Sequence, residues 1–207
     1  DFFYESSGFS NASSDSTIES GAKIAADVKI GHRCYIGPDV VIGAGSEIHH
    51  NVVIMGRTSL GERCIVKSGC VIGEEGFGFE YDEDGTPRHF PHIGRIEIGN
   101  DVFIGANSTV ERASIDVTMI RNDVKIDDLV QIGHNCDIGE GTLVMAGTIL
   151  CGGVKIGKRC WIAPHTVVKQ KLEIGDEAMT GLSSVVIGNI EQGVVVVGNP
   201  ARVLRKK

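Results

Sequence analysis

Gln131-Ile132-Gly133-His134-Asn135-Cys136-Asp137-Ile138-Gly139 sets two isoleucines six residues apart, each followed by glycine, with one histidine between them. Read outward, the same step returns an aliphatic side chain at Ile120, Ile126, Ile132, Ile138, Val144, Leu150, Ile156, Ile162, Val168 and Ile174. Upstream it runs from Ile18 through Ile24, Ile30, Ile36, Ile42, Ile48, Ile54, Leu60 and Val66 to Ile72. A period of six is neither the spacing of an amphipathic helix nor the alternation of a strand, and it predicts an all-β solenoid of short strands joined by corners. Gly31, Gly37, Gly43, Gly61 and Gly73 follow their aliphatic residues because the chain turns there, through a positive φ or a close backbone approach.

The repeat organises all 207 residues as one domain. Residues 1–17 are Ser-rich and aperiodic and read as a leader that caps the first rung. Coils over 18–73 are followed by an excursion at 74–97, which carries Phe77, Phe79, Tyr81 and Phe90 and an acidic run at Asp82-Glu83-Asp84. A loop of that length with so many aromatics predicts a substrate pocket or subunit contact. Coils resume over 98–190 with a slip between Glu111 and Met119. Residues 191–207, opening on Val194-Val195-Val196-Val197, form a cap over the last coil that blocks end-to-end association.

Composition narrows the function. Twenty Lys and Arg against 27 Asp and Glu give a net charge of -7, which argues against general affinity for nucleic acid or anionic lipid. No apolar run approaches the ~20 residues that span a bilayer. The sequence starts at Asp1 without an initiator Met, which leaves a preceding segment open. Cys34, Cys64, Cys70, Cys136 and Cys160 lie four residues after a repeat aliphatic, where Val28, Val40, Val52 and Val154 also stand, and no Cys-x-x-Cys occurs. They read as small buried hydrophobes, and reduced core thiols point to the cytoplasm.

These hexads resemble those of the hexapeptide-repeat acyltransferases. The resemblance implies a left-handed parallel β-helix with three hexads per coil; the period alone fixes neither the hand nor the triangular section. Coils at strand spacing, ~4.8 Å, would set residues 18 apart over one another. Gly76-Phe77-Gly78-Phe79, Gly94-Arg95, Ile104-Gly105-Ala106-Asn107, Ile126-Asp127 and Gln131-Ile132-Gly133-His134-Asn135 are similar to one branch, the UDP-3-O-acylglucosamine N-acyltransferases of lipid A synthesis.

That resemblance implies an acyl group moving from a thioester carrier, acyl carrier protein or coenzyme A, to the amine of a nucleotide-linked amino sugar, with no tightly bound cofactor. It makes His134 the general base, Asp127 the carboxylate that orients it, and Gly152, one coil above His134, the donor of an oxyanion N–H. Chemistry agrees for the histidine: attack on a thioester requires a proton acceptor, and an imidazole ordinarily titrates near ~6.5. Phe77, Phe79 and Asn135 are expected at the substrate. So is Lys171, which stands where the branch usually has a second histidine. The resemblance further implies a homotrimer with active sites between subunits.

Two features point elsewhere. Gly198-Asn199-Pro200-Ala201-Arg202 resembles the endings of acetyl-CoA-dependent sugar and serine acetyltransferases, so an acetyl-CoA-dependent sugar acetyltransferase is a second reading. A non-catalytic solenoid scaffold is a third, against which the intact His134 rung speaks. His32 and His50, 18 apart with His49 beside them, are expected to stack. The related γ-class carbonic anhydrases hold zinc through histidines that include a His-x-x-x-x-His pair; that spacing is missing here and His89-x-x-His92 lacks a third ligand nearby, so no metal is expected.

Overall fold

The computed structural model describes residues 13–206, and the first twelve residues of the expected leader lie outside them. Two-residue strands such as Lys29–Ile30, Tyr35–Ile36 and Val41–Ile42 recur at every hexad. Each pairs in parallel with the strand one coil further on, so Ile30 faces Ile48, Ile36 faces Ile54 and Ile42 faces Leu60. Three successive strands therefore enter three different sheets, of nine, eight and ten strands. We call these the first, second and third faces of a left-handed parallel β-helix; the chain runs from third to first to second and back to third.

The hexad folds this way because a two-residue strand can send only one side chain inward. That inward residue is the repeat aliphatic: Ile36, Ile54, Ile72, Ile120, Ile126, Ile132 and Ile138 are completely buried. Their stacked columns supply the core, at roughly 1.5–3 kcal/mol for each large aliphatic side chain removed from water. The position four residues later also points inward but sits in a corner with less room. Cys34, Cys64, Cys70, Cys136 and Cys160 fill it as free, buried thiols, and each donates its S–H to a backbone carbonyl, as from Cys34 Sγ to His49 O (2.8 Å). Serine and threonine share that niche. Thr142 Oγ1 donates to Gly157 O (2.8 Å) and accepts the N–H of Cys160 (3.0 Å), so its hydroxyl is satisfied in the core.

Of the two reasons offered for the corner glycines, close approach is the one that holds for Gly31 and Gly43. A Cβ at Gly43 would come within 2.6 Å of the Gly61 carbonyl carbon, whereas the left-handed backbone falls two residues later, at Gly45. Arg33, Asp39, Asn51 and Asn135 take that conformation without being glycine. A single αL residue per corner is tolerated there because the ladder on either side holds it.

Both interruptions of the repeat occur on the same edge. From Ile72 on the first face to its follower Ile98 on the second the chain uses 26 residues, and from Val110 to Ile120 it uses ten, where an intact hexad uses six. The pairing absorbs both: Ile72 still faces Val110, Val110 faces Ile132 and Ile98 faces Ile120. The longer interruption carries an antiparallel hairpin, Phe79–Tyr81 with Pro87–His89. At the other end Val194–Val197 continues the third face beside Met179–Thr180, and Arg202–Lys206 folds back antiparallel to close that face. Val194, Val195 and Val196 are buried.

Candidate active site

The edge between the first and second faces brings three separate lengths of sequence into adjacent layers. Residues 74–94 form the lowest layer, the excursion ending three residues before the expected 97 because Arg95–Ile98 is already a strand of the second face; 111–116 form the next, and Gly133 to Cys136 the third. Backbone bonds lace them together: Ile93 N–H donates to Ser114 O (2.9 Å), Gly94 N–H to Ala113 O (3.0 Å) and Arg112 N–H to Glu74 O (3.0 Å). Ser114 N–H donates in turn to Asn135 Oδ1 (3.0 Å).

His134 is half-buried at the top of this stack. Its backbone N–H donates to Glu111 Oε2 (3.1 Å), and Gln131 Nε2 donates to the other oxygen of the same carboxylate (3.2 Å). Its Nδ1 lies 3.0 Å from Asn135 Oδ1 and 3.3 Å from Ser114 Oγ. Asn135 Nδ2 donates to Ile115 O (2.8 Å), which fixes the amide so that Oδ1 can only accept. A lone pair on Nδ1 would repel it. Nδ1 therefore carries the proton and Nε2 keeps the lone pair, the tautomer a base acting through Nε2 requires.

Gly152 lies directly above the ring. A Cβ there would stand 2.4 Å from His134 Nε2, so only glycine leaves room for the imidazole. Its neighbours are held by the ladder, Cys151 N–H to Val168 O (3.1 Å) and Gly153 N–H to His134 O (2.7 Å). Lys171 follows on the same edge, exposed and left-handed (φ 60°), with its N–H on Gly152 O (3.0 Å). Asn135, Gly153 and Lys171 thus form one column beside His134 and Gly152.

Asp127 is not brought to His134 within the chain. It follows Lys125–Ile126 of the third face, on the edge between third and first faces, whereas His134 follows Gln131–Ile132 of the first. Its carboxylate accepts the N–H groups of Asp128 (2.8 Å) and Ala146 (3.2 Å). In this chain the group that orients the imidazole is Asn135. Phe77 and Phe79 pack on each other, ring centroids 4.9 Å apart, and Phe77 is 89% exposed, so these rings stand off the prism rather than against His134.

Three neighbours of His134 do not emerge from the sequence: Glu111, Ser114 and His92. Spacing alone pairs His92 with His89, and the structure parts them. His89 Nε2 lies 3.1 Å from Glu75 Oε2, while the His92 ring turns edge-on to His134 at a centroid distance of 5.0 Å. A signal is present in the numbering, since strands take the faces in strict rotation and the corners after Ile72, Val110 and Ile132 all fall on one edge. A groove of about 570 Å³ lies elsewhere, against Glu97, Met119, Arg121, Asn122 and Lys158. Its Arg121 is paired with both oxygens of Asp137 (3.0 and 2.8 Å), so its charge is already answered.

The repeat model described as bacterial transferase hexapeptide (six repeats) matches residues 14–44, 39–74 and 136–170, and the hexapeptide repeat of succinyl-transferase matches 95–127. Residues 75–94, most of the excursion, fall between these matches. Among curated relatives, the UDP-3-O-acylglucosamine N-acyltransferase of Bordetella pertussis is 36% identical over 194 residues, 84% of this chain and 53% of that protein. That of Coxiella burnetii is 50% identical over 107 residues, 52% of this chain and 30% of that protein. The chain thus spans about half, or less, of the length of these relatives. The solved structure of LpxA from Acinetobacter baumannii superposes with a TM-score of 0.87 at 26% identity, covering 95% of this chain and 74% of that one. With repeat models matching on both sides of the excursion and a β-helix shared with that structure, the chain belongs to the hexapeptide-repeat transferase family.

Proposed function

We propose that this chain is the catalytic β-helix of an N-acyltransferase that moves an acyl group from a thioester, on acyl carrier protein or coenzyme A, to the amine of a nucleotide-linked amino sugar. The observation that carries the reading is the His134 corner, where Asn135 Oδ1 holds Nδ1 and leaves Nε2 beside the one position, Gly152, that has no side chain to block it. Relatives named UDP-3-O-acylglucosamine N-acyltransferase support an amine acceptor.

In the reaction the acceptor amine attacks the thioester carbonyl carbon while His134 Nε2 takes its proton; the C–N bond forms, the C–S bond breaks, and the imidazolium returns the proton to the departing thiolate. Gly152 N–H meets the oxyanion. Phe77 and Phe79 flank the acceptor on the excursion, and Lys171, two coils above Asn135, meets an anionic part of donor or acceptor. No tightly bound cofactor takes part, and the reduced core thiols suit the cytoplasm.

Asp127 completes the site from a neighbouring subunit. The edge that carries it differs from the edge that carries His134, so the two meet only where prisms pack around a threefold axis. A homotrimer is accordingly expected by light scattering, and a monomer at micromolar concentration would rule out the shared site. Co-assembling His134→Ala and Asp127→Ala chains should restore activity that each lacks alone, since some mixed trimers contain an intact pair. A donor screen with acyl carrier protein thioesters, long-chain acyl-CoA and acetyl-CoA tests the activity itself. Turnover with acetyl-CoA alone would replace this reading by the sugar acetyltransferase that the Gly198 to Arg202 ending suggests.

A further inference from the structure

We propose that His92, delivered by the excursion, is a positioning residue for His134: through Ser114 it reinforces the tautomer that Asn135 favours and restrains the ring of the base. The inference rests, for its kinetic part, on the reading of His134 given above. His92 is buried, at 2% exposure, although it belongs to the interruption rather than to the repeat. Its Nδ1 accepts the N–H of Gly76 (3.0 Å), so in the neutral ring the proton is on Nε2, which lies 3.3 Å from Ser114 Oγ. That oxygen is in turn 3.3 Å from His134 Nδ1. Ser114 Oγ thus receives Nε2–H from one imidazole and turns a second lone pair toward the Nδ1–H of the other, in step with the demand of Asn135 Oδ1.

Steric evidence points the same way. A Cβ at Gly78 would stand 2.6 Å from His92 Nε2, and one at Gly76 would stand 2.8 Å from His92 Cε1 and 2.5 Å from Glu111 Oε2. The glycines of the Gly76-Phe77-Gly78 turn therefore make room for this imidazole and for the Glu111 carboxylate. The His92 ring, edge-on against His134 at 68°, limits rotation of the base. Glu75, which accepts His92 N–H (3.3 Å), Glu111 and His134 are the charged or titratable groups around it, and the Arg112 backbone also faces the ring. Burial, with the charge of His134 second, holds His92 below the ordinary imidazole range and keeps its Nδ1 available to Gly76.

Two substitutions in the full chain separate positioning from proton transfer. A glutamine in place of His92 can copy both bonds, since its amide oxygen accepts from Gly76 and its amide nitrogen donates to Ser114, whereas leucine can do neither. In His92→Leu the Ser114 hydroxyl, no longer held by an N–H, is free to turn its own O–H onto His134 Nδ1, so ¹⁵N-histidine spectra should show a smaller share of the Nδ1–H tautomer, then held by Asn135 Oδ1 alone, and kcat should fall about tenfold with KM unchanged. His92→Gln should restore both. If His92→Leu does not fold, Ser114→Ala should also lower the share of the Nδ1–H tautomer, because Nδ1 then keeps one acceptor in place of two. An unchanged share of the Nδ1–H tautomer in His92→Leu or in folded Ser114→Ala would overturn the inference, as would a folded His92→Gln as impaired as His92→Leu. The spectra are read without substrates, so they decide the positioning role even if no acyl transfer is found.

Discussion

Two edges of the same prism carry histidines, and they treat them differently. On the edge between third and first faces, His32 and His50 lie one coil apart, rings stacked at 5.3 Å and 21°, and His50 Nδ1 accepts the backbone N–H of His32 (2.9 Å). One coil below, at the end of the leader, Ser13 Oγ and Asp15 Oδ1 lie 2.8 and 3.1 Å from His32 Nδ1. On the edge between first and second faces, His134 is gripped by Asn135, Ser114, Glu111 and His92, of which all but Asn135 lie in interruptions of the repeat. A regular solenoid can stack imidazoles, but it offers each only what the next coil repeats. Surrounding one imidazole with unlike groups requires extra chain inserted at the same corner in successive coils.

The sharpest contrast between the edges is the histidine substitutions. His134→Ala should lower kcat by on the order of 10²-fold to 10⁴-fold, as loss of a general base does, and remove the acidic limb of the kcat/KM profile. His32→Ala should leave kcat unchanged. Equal effects at the two positions would place the chemistry elsewhere.

Next come the glycines beneath each edge. Gly152→Ala forces a methyl onto His134 Nε2 and should cut kcat more than tenfold with a smaller loss of stability, because the methyl meets a half-exposed side chain and not backbone. Gly31→Ala drives the same methyl to 2.8 Å from the His49 carbonyl carbon, a backbone neighbour that cannot move. It should destabilise by about 1–3 kcal/mol, the usual cost of overpacking, with kcat intact in the folded fraction. Denaturant melts and steady-state kinetics on both variants read the crossover.

A milder effect is expected from shortening the excursion. Deleting residues 81–88 removes the hairpin tip but spares Glu75, Gly76, His92 and the backbone bonds to Ser114 and Ala113. The acceptor KM should rise while kcat and the oligomeric state persist. Loss of kcat instead would show that the hairpin supports the His134 corner and not the acceptor.

The smallest expected effect is on acid stability. Burial holds His92 on one edge and His49 on the other below the ordinary imidazole range. Each therefore binds fewer protons folded than unfolded in the window just below ~6.5, so stability rises with pH there and falls on acidification through it. Melting temperatures measured from pH 7 to pH 5 should fall less steeply in His92→Gln than in the parent. An unchanged slope would mean that His92 is solvated rather than buried.

The hexad made the solenoid and its core legible in advance, down to the cysteines, because the side chain inside each two-residue strand recurs at a fixed step and must be apolar. Gly152 could be placed over His134 for the same reason: 18 residues is one coil, and the ladder keeps that count. The surroundings of His134 were not legible in this way. His92 and Ser114 belong to segments without a period, and nothing local in Phe-Pro-His or Arg-Ala-Ser says where a side chain ends up.

The sequence by itself determined the strand step, the inward residues and the placement of Gly152 one coil above His134, since each follows from a fixed count along the coil. Only the tertiary structure decided that residues 74–94 and 111–116 open on the same edge as His134, that Asn135 rather than Asp127 holds the imidazole within the chain, and that His92 is buried against it. The physical reason is that coils stack in strict rotation whatever their length. An insertion leaves the pairing on every face intact and displaces only its own corner, so its side chains meet those of the coils above through contacts that no periodicity encodes.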